Sequence, residues 1–539
     1  EHPEHILESR FVDRYKPLDV NQKDIDKVKK AAIESGQLAP LELTADVSSP
    51  KSRWCVIGWR DPQIHQIERS APTPSSNAIY TVLQLASSRR WTSFVKDVKT
   101  AFLQSRPTDR KTPLACSQPR DEPLPGLDPR QLLVLLTEIY GLVSGPAWWR
   151  STFLQRTTKL GYKICPFEPC VLMLPGTEPT SATRGALVVE VDDVVECGDD
   201  RHRECVSELE KTIKFGKSIN VQETETMYAG RSLKQLPDYS FELHMEQYVY
   251  TRLSPIVLSR KVLKKDAASV VLNESEQTQL RGAIAALSWV SRECRPDAAA
   301  ASSVLASSFP DPTVETVYQA NDVIRHLKQH PVKLRIHAIP EADVRNILIA
   351  DSAFDTSGKE RSQHGFLLGF TDKTLNAGHS APVSLMMQRT DEEILELQGR
   401  ATVIAAESPS YVDPRSIVVI DAKSLYDHLL GDQPGECGRC NLEVAVIKES
   451  MTLCCGRVRW VPHNLNPGDS LTKFPGAHVE PMIRLLRTHR FKISDEAETL
   501  AQGKQGAQRL KQGLGTDFSG NFYFSGAVST CMHSRNFPE

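Results

Sequence analysis

Asp97 sits at the end of an alternating stretch, RRWTSFVKDV, and Asp192-Asp193 stand between two apolar runs in GALVVEVDDVVECG. Carboxylates at strand ends converge on divalent cations even when far apart in sequence. Mg²⁺ takes hard oxygen ligands, typically one or two carboxylates plus substrate phosphates. Two such ions activate an attacking hydroxyl and stabilise the leaving oxygen of a phosphoryl transfer. An Asp-Asp pair is also ordinary turn chemistry, and the pair alone leaves both readings open. A second acidic set lies downstream. Asp351 ends VRNILIAD, Asp421 ends SIVVID ahead of AKSLYDHLL, and Asp469 lies in NPGDSLTK at a helix start. Each of these three taken singly could be a helix N-cap.

The elements that must hold these residues are legible as periodicities. SRWCVIGW and RRWTSFVKDV alternate aromatic and β-branched residues and read as strands. GALVVEVDDVVECG reads as a hairpin with the aspartates at its tip. RQLLVLLTEIYGL reads as an apolar-periodic helix closed by Gly141, and GPAWWRSTFLQRTTKLGY as a second helix. RHRECVSELEKTIKFG carries Val206, Leu209 and Ile213 at helical spacing. A Pro-rich connector fills 107–129. Residues 1–50 form a polar, Pro-broken lead-in with a helical stretch at 24–35. A strongly helical region covers 274–330, and strands resume after Pro331. This order of strands and packed helices gives an α+β layer architecture. The tail from Ala501 is rich in Gln, Gly, Ser and Asn and is expected to be disordered.

Three of these segments and their neighbours resemble the copia-type retrotransposon polyprotein, across its reverse transcriptase and ribonuclease H region. They are DVKTAFLQS at 97–105, YGLVSGPAWW at 140–149 and VEVDD at 189–193. KSRWCVIGW, APT, YAGRSLKQ and LRGAIAALSWVSRECRPD follow the family's order on either side, so the resemblance runs from about residue 9 to 487. It implies a right-hand polymerase, with a ferredoxin-like palm, followed by a helical connection and an RNase H-like α/β domain. The implied divisions are a lead-in at 1–50, fingers and palm at 51–250, thumb or connection at 251–340, the RNase H-like domain at 341–475 and a tail at 476–539.

Carried over by position, Asp97, Asp192 and Asp193 are the palm carboxylates, with Asp97 and Asp192 the direct metal ligands. Phe102 is the aromatic gate against a ribose 2′-hydroxyl. Lys51 and Arg53 match basic positions that pair with a nucleotide triphosphate. Asp351, Asp421 and Asp469 are the catalytic and metal-holding carboxylates of the ribonuclease. The implied cofactor is Mg²⁺ or Mn²⁺, two ions per site. The implied partners are an RNA template, a DNA primer, the RNA–DNA hybrid and deoxynucleoside triphosphates, and the implied location is the cytoplasm, a virus-like particle or the nucleus.

The chain departs from the family pattern in three places. Glu190 stands where an aromatic precedes Val-Asp-Asp, and Val143-Ser144 replace a Lys-Gln pair that contacts template or nucleotide. The ribonuclease Glu between the first two strand aspartates has no clear counterpart, and Glu393, Glu396 and Glu407 are its candidates. These departures keep two alternatives open: a retroelement remnant that folds without activity, and a nucleic-acid-binding protein without catalysis.

Composition frames the rest. At 539 residues the chain has room for roughly three to four domains. Its 40% hydrophobic and 24% charged content excludes collagen-like and wholly disordered classes. A net charge of −2 means any basic groove is local rather than global. Twelve cysteines are too dilute for a disulfide framework and point to a reducing compartment. Cys437, Cys440, Cys454 and Cys455 have a spacing that fits incidental thiols better than structural zinc, whose ligands come as two spaced pairs. Arg260, Lys261, Lys264 and Lys265 form a run that suits either a phosphate backbone or plain solvation. His463 reads as a loop residue or an aid to ribonuclease turnover. No apolar run approaches a membrane span. The first residues lack signal-peptide character, and the initial Glu points to a fragment or processed product.

Overall fold

Two six-stranded sheets, each covered on its faces by helices, carry the two acidic sets. The computed structural model describes residues 3–17, 48–120, 122–178, 181–354, 362–377, 379–389, 416–431, 438–453, 456–474 and 477–493. An antiparallel ribbon opens the chain, β1 (Ser9–Pro17) against β2 (Ser48–Val56), with Arg14 opposite Lys51. Residues 9–17, read as lead-in, are thus an ordered strand, paired to the segment that holds Arg53. Helix α1 (Ser76–Ser88) follows, its first turn capped by the Ser75 side chain accepting from the Ala78 amide.

The first sheet contains β3 (Ser93–Val98), the strand Lys163–Cys165, β4 (Glu168–Leu174), β5 (Gly185–Glu190), β6 (Asp193–Gly198) and β7 (Phe215–Asn220). Helix α2 (Gly145–Lys159) precedes β4, and α3 (Asp200–Thr212) joins β6 to β7. The spatial order is β7-β3-β6-β5-β4 with Lys163–Cys165 outermost, every pair antiparallel. Trp149 and Phe153 of α2 and Val206 and Leu209 of α3 bury one face with Val98, Leu187 and Val194. Ile79 and Leu83 of α1 cover the other with Val95, Val188 and Val195. Burial on both faces accounts for the unbroken buried run 194–198 in β6, where alternation would mark a one-sided sheet.

Residues 130–142 correct the helix expected there. Only Leu133–Val134 form a short strand, paired with Ala115–Cys116, and the rest is turn and extended chain. Leu132, Val134 and Leu136 are exposed while Leu135 is buried, which is the period of extended chain. Here tertiary pairing overrides helix propensity. Gly141 takes φ +98°, and a Cβ there would sit 2.0 Å from the Val56 carbonyl oxygen. A glycine is therefore required where this segment crosses β2.

Helix α4 (Glu274–Glu293) starts with a reciprocal Asn273–Glu276 capping box. It leads through a short turn to α5 (Ala299–Ala306) and α6 (Val314–Gln329). Arg295 grips Asp297 with two hydrogen bonds of 2.9 and 2.7 Å and also donates to the Leu327 carbonyl. Burial works to raise the Asp297 carboxyl, yet Arg295 and His326 hold it down at about 2. The buried pair fastens the α4–α5 turn to the end of α6.

The second sheet contains β8 (Val344–Phe354), β9 (Ser362–Asp372), β10 (Ala381–Arg389), β11 (Ser416–Ile420) and β12 (Arg457–Trp460). Its order is β12-β11-β8-β9-β10, ending on Arg490–Phe491. Strand β8 runs antiparallel to β9 and parallel to β11, and β11 runs parallel to β12. The expected strands after Pro331 are thus present, and β10 joins them. The 24–35 stretch, Glu393, Glu396, Glu407, Cys437, Cys454, Cys455 and the tail from Ala501 lie outside the described residues. No helix among the described residues is long and apolar enough to cross a membrane.

Candidate active site: two carboxylate centres

In the first sheet β3 and β6 are neighbours, and their register sets Asp97 directly opposite Asp193. Asp193 also faces Glu190 across the hairpin, and the Asp192 carbonyl accepts from the Val98 amide at 2.8 Å. Segments far apart in sequence thus bring all three aspartates to one sheet end. The tip of the hairpin is held from behind. Val191 adopts φ +54°, a costly conformation for a β-branched residue, and Trp149 Nε1 donates to its carbonyl at 2.7 Å.

Their charges bear on two tyrosines. Those of Asp192 and Asp97 lie near Tyr140, whose phenol is raised first by burial and further by these two charges, with Arg53 opposing. That of Asp193 acts with Glu190 on the buried Tyr228. Asp97, Asp192 and Asp193 do not form a group with ligand atoms all within 4.8 Å of one another. Burial raises the Glu190 carboxyl, Arg231 opposes the rise and Asp192 adds to it.

Two of the other residues singled out from sequence, Arg53 and Phe102, gather on Tyr140. The Arg53 guanidinium lies 5.1 Å from the Tyr140 ring centroid, within cation–π range. Phe102, in the 3₁₀ turn Ala101–Gln104, packs at a tilt against the same ring with centroids 5.0 Å apart. Lys51 lies in β2 with Arg53, and its backbone pairs with Arg14. Tyr140 is the residue sequence reasoning left unnamed, although it opens the YGLVSGPAWW motif.

The Ser144 departure has a physical account. Its side chain is buried, donates to Glu138 and accepts from Arg110 at 3.1 Å. Arg110 in turn binds Asp61 at 2.8 Å and Glu138 at 2.9 Å. Ser144 therefore serves an internal ion network and is not turned outward as a template contact.

The second centre is tighter. Asp351 of β8, Asp421 just past β11 and Asp469 at the start of the short helix Asp469–Thr472 offer ligand atoms within 4.8 Å of one another. Gly365 makes this possible. It sits opposite Asp351 in register, and a Cβ there would come 2.4 Å from Leu471 Cβ. A bare backbone lets the Asp469 helix press onto the sheet. Asn466 ties the preceding loop to the same strand end by donating to the Ala350 carbonyl.

Cations and donors surround the three carboxylates. Lys473 Nζ stands 2.9 Å from Asp469 and 3.6 Å from Asp351, and Thr472 donates to Asp351. His463 reaches Asp421 through Nδ1 and Asp469 through Nε2, both at 3.0 Å. Burial pushes the Asp469 carboxyl up to about 6, against the pull of Lys473. A second group of close ligand atoms joins His463, Asp469 and His478. His478 comes from a 3₁₀ turn, Ala477–Val479, that no periodicity announced. Arg260 is occupied by the Val271 carbonyl and by Glu276, whereas the Lys261, Lys264 and Lys265 side chains are exposed.

No known protein family matches the chain, and no curated protein is similar to it at a significant level. Among solved structures it is similar to a foamy viral protease–reverse transcriptase in complex with double-stranded DNA. That likeness has 9% identity and a TM-score of 0.41, covering 83% of this chain and 71% of that one. A foamy viral protease–reverse transcriptase in complex with an RNA/DNA hybrid is similar at 10% identity and a TM-score of 0.38, covering 86% of this chain and 56% of that one.

Proposed function

We propose that the chain is a retrotransposon reverse transcriptase of the copia type, an RNA-directed DNA polymerase carrying an RNase H-like domain. The observation that carries this reading is the meeting of Asp97 and Asp192 beside Tyr140, Phe102 and Arg53. A β-α-β-β-α-β path with the spatial order fourth, first, third, second runs through β3, α2, β5, β6, α3 and β7. With Lys163–Cys165 and β4 added between α2 and β5, it suits the ferredoxin-like arrangement of a palm. The order β12-β11-β8-β9-β10, with β9 and β10 antiparallel additions to a parallel core, suits an RNase H-like domain.

Asp97 and Asp192 supply the hard oxygen donors that Mg²⁺ or Mn²⁺ takes, and Asp193 completes the acidic end of the sheet. Bound ions would supply activation of the primer 3′-hydroxyl and stabilisation of the leaving pyrophosphate. The protein's own residues position the substrates. Arg53 offers a cation to the incoming triphosphate, with Lys51 on the same strand. Phe102, backed by Tyr140, presents the aromatic edge against which a 2′-hydroxyl would clash. Tyr140 keeps its phenolic proton near neutral pH, since both burial and the aspartates favour the neutral form.

In the second domain Asp351, Asp421 and Asp469 would hold the ions that direct water at an RNA phosphodiester. Lys473 neutralises part of their charge, and His463 hydrogen-bonds at their edge. The partners are then an RNA template, a DNA primer, their hybrid and deoxynucleoside triphosphates.

Primer extension on poly(rA)–oligo(dT) with Mg²⁺ or Mn²⁺ tests the reading. Extension by the wild type and none by Asp192→Asn supports it. Equal, negligible signal from both, with folding verified by circular dichroism, sinks it and leaves a remnant or a binder.

A further inference from the structure

We infer that His463, Asp469 and His478 form a mixed nitrogen–oxygen site for a zinc-class divalent ion, distinct in donor chemistry from the all-carboxylate group beside it. Three features carry the inference. First, the ligand atoms of the three residues lie within 4.8 Å of one another, a spacing that one ion spans.

Second, His463 is oriented from outside the group. Asp421 Oδ2 stands 3.0 Å from its Nδ1, while its Nε2 faces Asp469 Oδ2 at 3.0 Å. A carboxylate accepting from one ring nitrogen fixes the tautomer and leaves the other lone pair for a metal, as in carboxylate–histidine–zinc arrangements. Asp421 is thus a positioning residue for this site.

Third, the two oxygens of Asp469 are divided. Oδ1 takes Lys473 at 2.9 Å, and Oδ2 faces the histidine. One oxygen therefore remains directed at the ion while the other stays hydrogen-bonded.

Donor chemistry selects the ion. Imidazole suits Zn²⁺ and its neighbours in the transition series, whereas Mg²⁺ prefers carboxylates, carbonyls and water. Three protein donors leave one position of a tetrahedral ion open, the pattern of reactive rather than structural zinc. The His463 side chain is 57% exposed, so an ion has a path from solvent. Asp469 belongs to both groups, so an ion here would lie against the carboxylate centre and share a ligand with it.

Co²⁺ is the probe, because a low-coordinate cobalt ion with nitrogen and oxygen donors absorbs visibly. The full chain is stripped of metal and titrated with CoCl₂, and His478→Ala is titrated in parallel. The difference between the two cancels cobalt held by the cysteine thiols. The expected result is at least about a tenfold loss of affinity in His478→Ala and in His463→Ala, since losing even an outer-shell partner costs 10–100-fold. ZnCl₂ should erase the difference spectrum, and excess MgCl₂ should leave it. His478→Gln, which keeps the side chain's bulk, should show the same loss, with circular dichroism unchanged for every variant. Equal affinities in the wild type and both His478 variants would overturn the inference. So would an Asp351→Asn variant that loses cobalt as fully as His478→Ala, because the ion would then belong to the carboxylate group. None of these readouts passes through the polymerase centre, so failure here and failure of primer extension are separate results.

Discussion

Arg110 offers the sharpest test of how the first centre is held. Its guanidinium binds Asp61 and Glu138, and the three side chains are 4%, 0% and 4% exposed. Through Glu138 and Ser144 it secures the segment that carries Tyr140. Arg110→Met keeps most of the volume and removes the cation, leaving two buried carboxylates without a counter-charge. Breaking a buried pair in this way costs about 3–5 kcal/mol, which at about 1.36 kcal/mol per decade is roughly a 10²- to 5 × 10³-fold rise in local opening. The Val56 amide, which donates to the Tyr140 carbonyl at 3.0 Å, reports that opening directly in a hydrogen-exchange experiment. Its exchange should accelerate by about that factor in Arg110→Met, while amides in β11 and β12 hold their rates. Neutralising the orphaned acids in the triple variant Arg110→Met, Asp61→Asn, Glu138→Gln should recover most of the protection, because neutral groups bury at far lower cost. A Val56 rate in Arg110→Met within about threefold of wild type would refute the reasoning.

Further outcomes follow from other sites. Burial first, then Arg335 and His489, lower the His337 imidazole to about 4. Its folded pKa lies below the unfolded value of 6.5, so the stability it contributes is complete above pH 6.5 and is lost as pH falls toward 4. Urea midpoints should drop over that window by the equivalent of about 3 kcal/mol, and a His337→Gln variant should show a correspondingly flatter profile. A variant curve parallel to wild type would remove His337 as the cause. Phe102→Val should weaken discrimination against ribonucleotides by about 10- to 200-fold, the range one pocket contact commands, read by primer extension with paired deoxy- and ribonucleotides. Unchanged discrimination would place the gate elsewhere. Gly365→Ala forces its Cβ into Leu471 and should cost about 1–3 kcal/mol. It should also weaken cobalt binding around Asp469 while leaving primer extension intact, a separation that parallel assays on one preparation can check.

The strands that carry the aspartates were readable because each couples an apolar run to a polar end. In Gly185–Glu190 followed by Asp193–Gly198, the pattern marks both the strands and the point where the chain leaves the core. The 130–142 segment was not readable. Its leucines satisfy a helical template locally, and the pairing with Ala115–Cys116 that makes it extended is a tertiary fact. Ser144 looked like a lost polar contact because only the fold reveals the buried Arg110 and Glu138 that use it. His478 carried no signal at all, since a three-residue turn has no period and its neighbours His463 and Asp469 are brought to it by folding.

The register that sets Asp97 opposite Asp193 makes the centre unequally tolerant of change in length. Between β3 and β6 the stretch 122–130 is almost wholly exposed, so residues can be gained or lost there at little cost while the two strands stay paired. A single insertion inside β3 is another matter. Side chains alternate faces with period two, so one added residue before Asp97 would exchange the core positions of Val95 and Lys96 and turn the carboxylate to the wrong side. Drift in this chain can therefore lengthen that exposed excursion freely, while the six residues of Ser93–Val98 behave as a ruler whose divisions cannot be re-spaced.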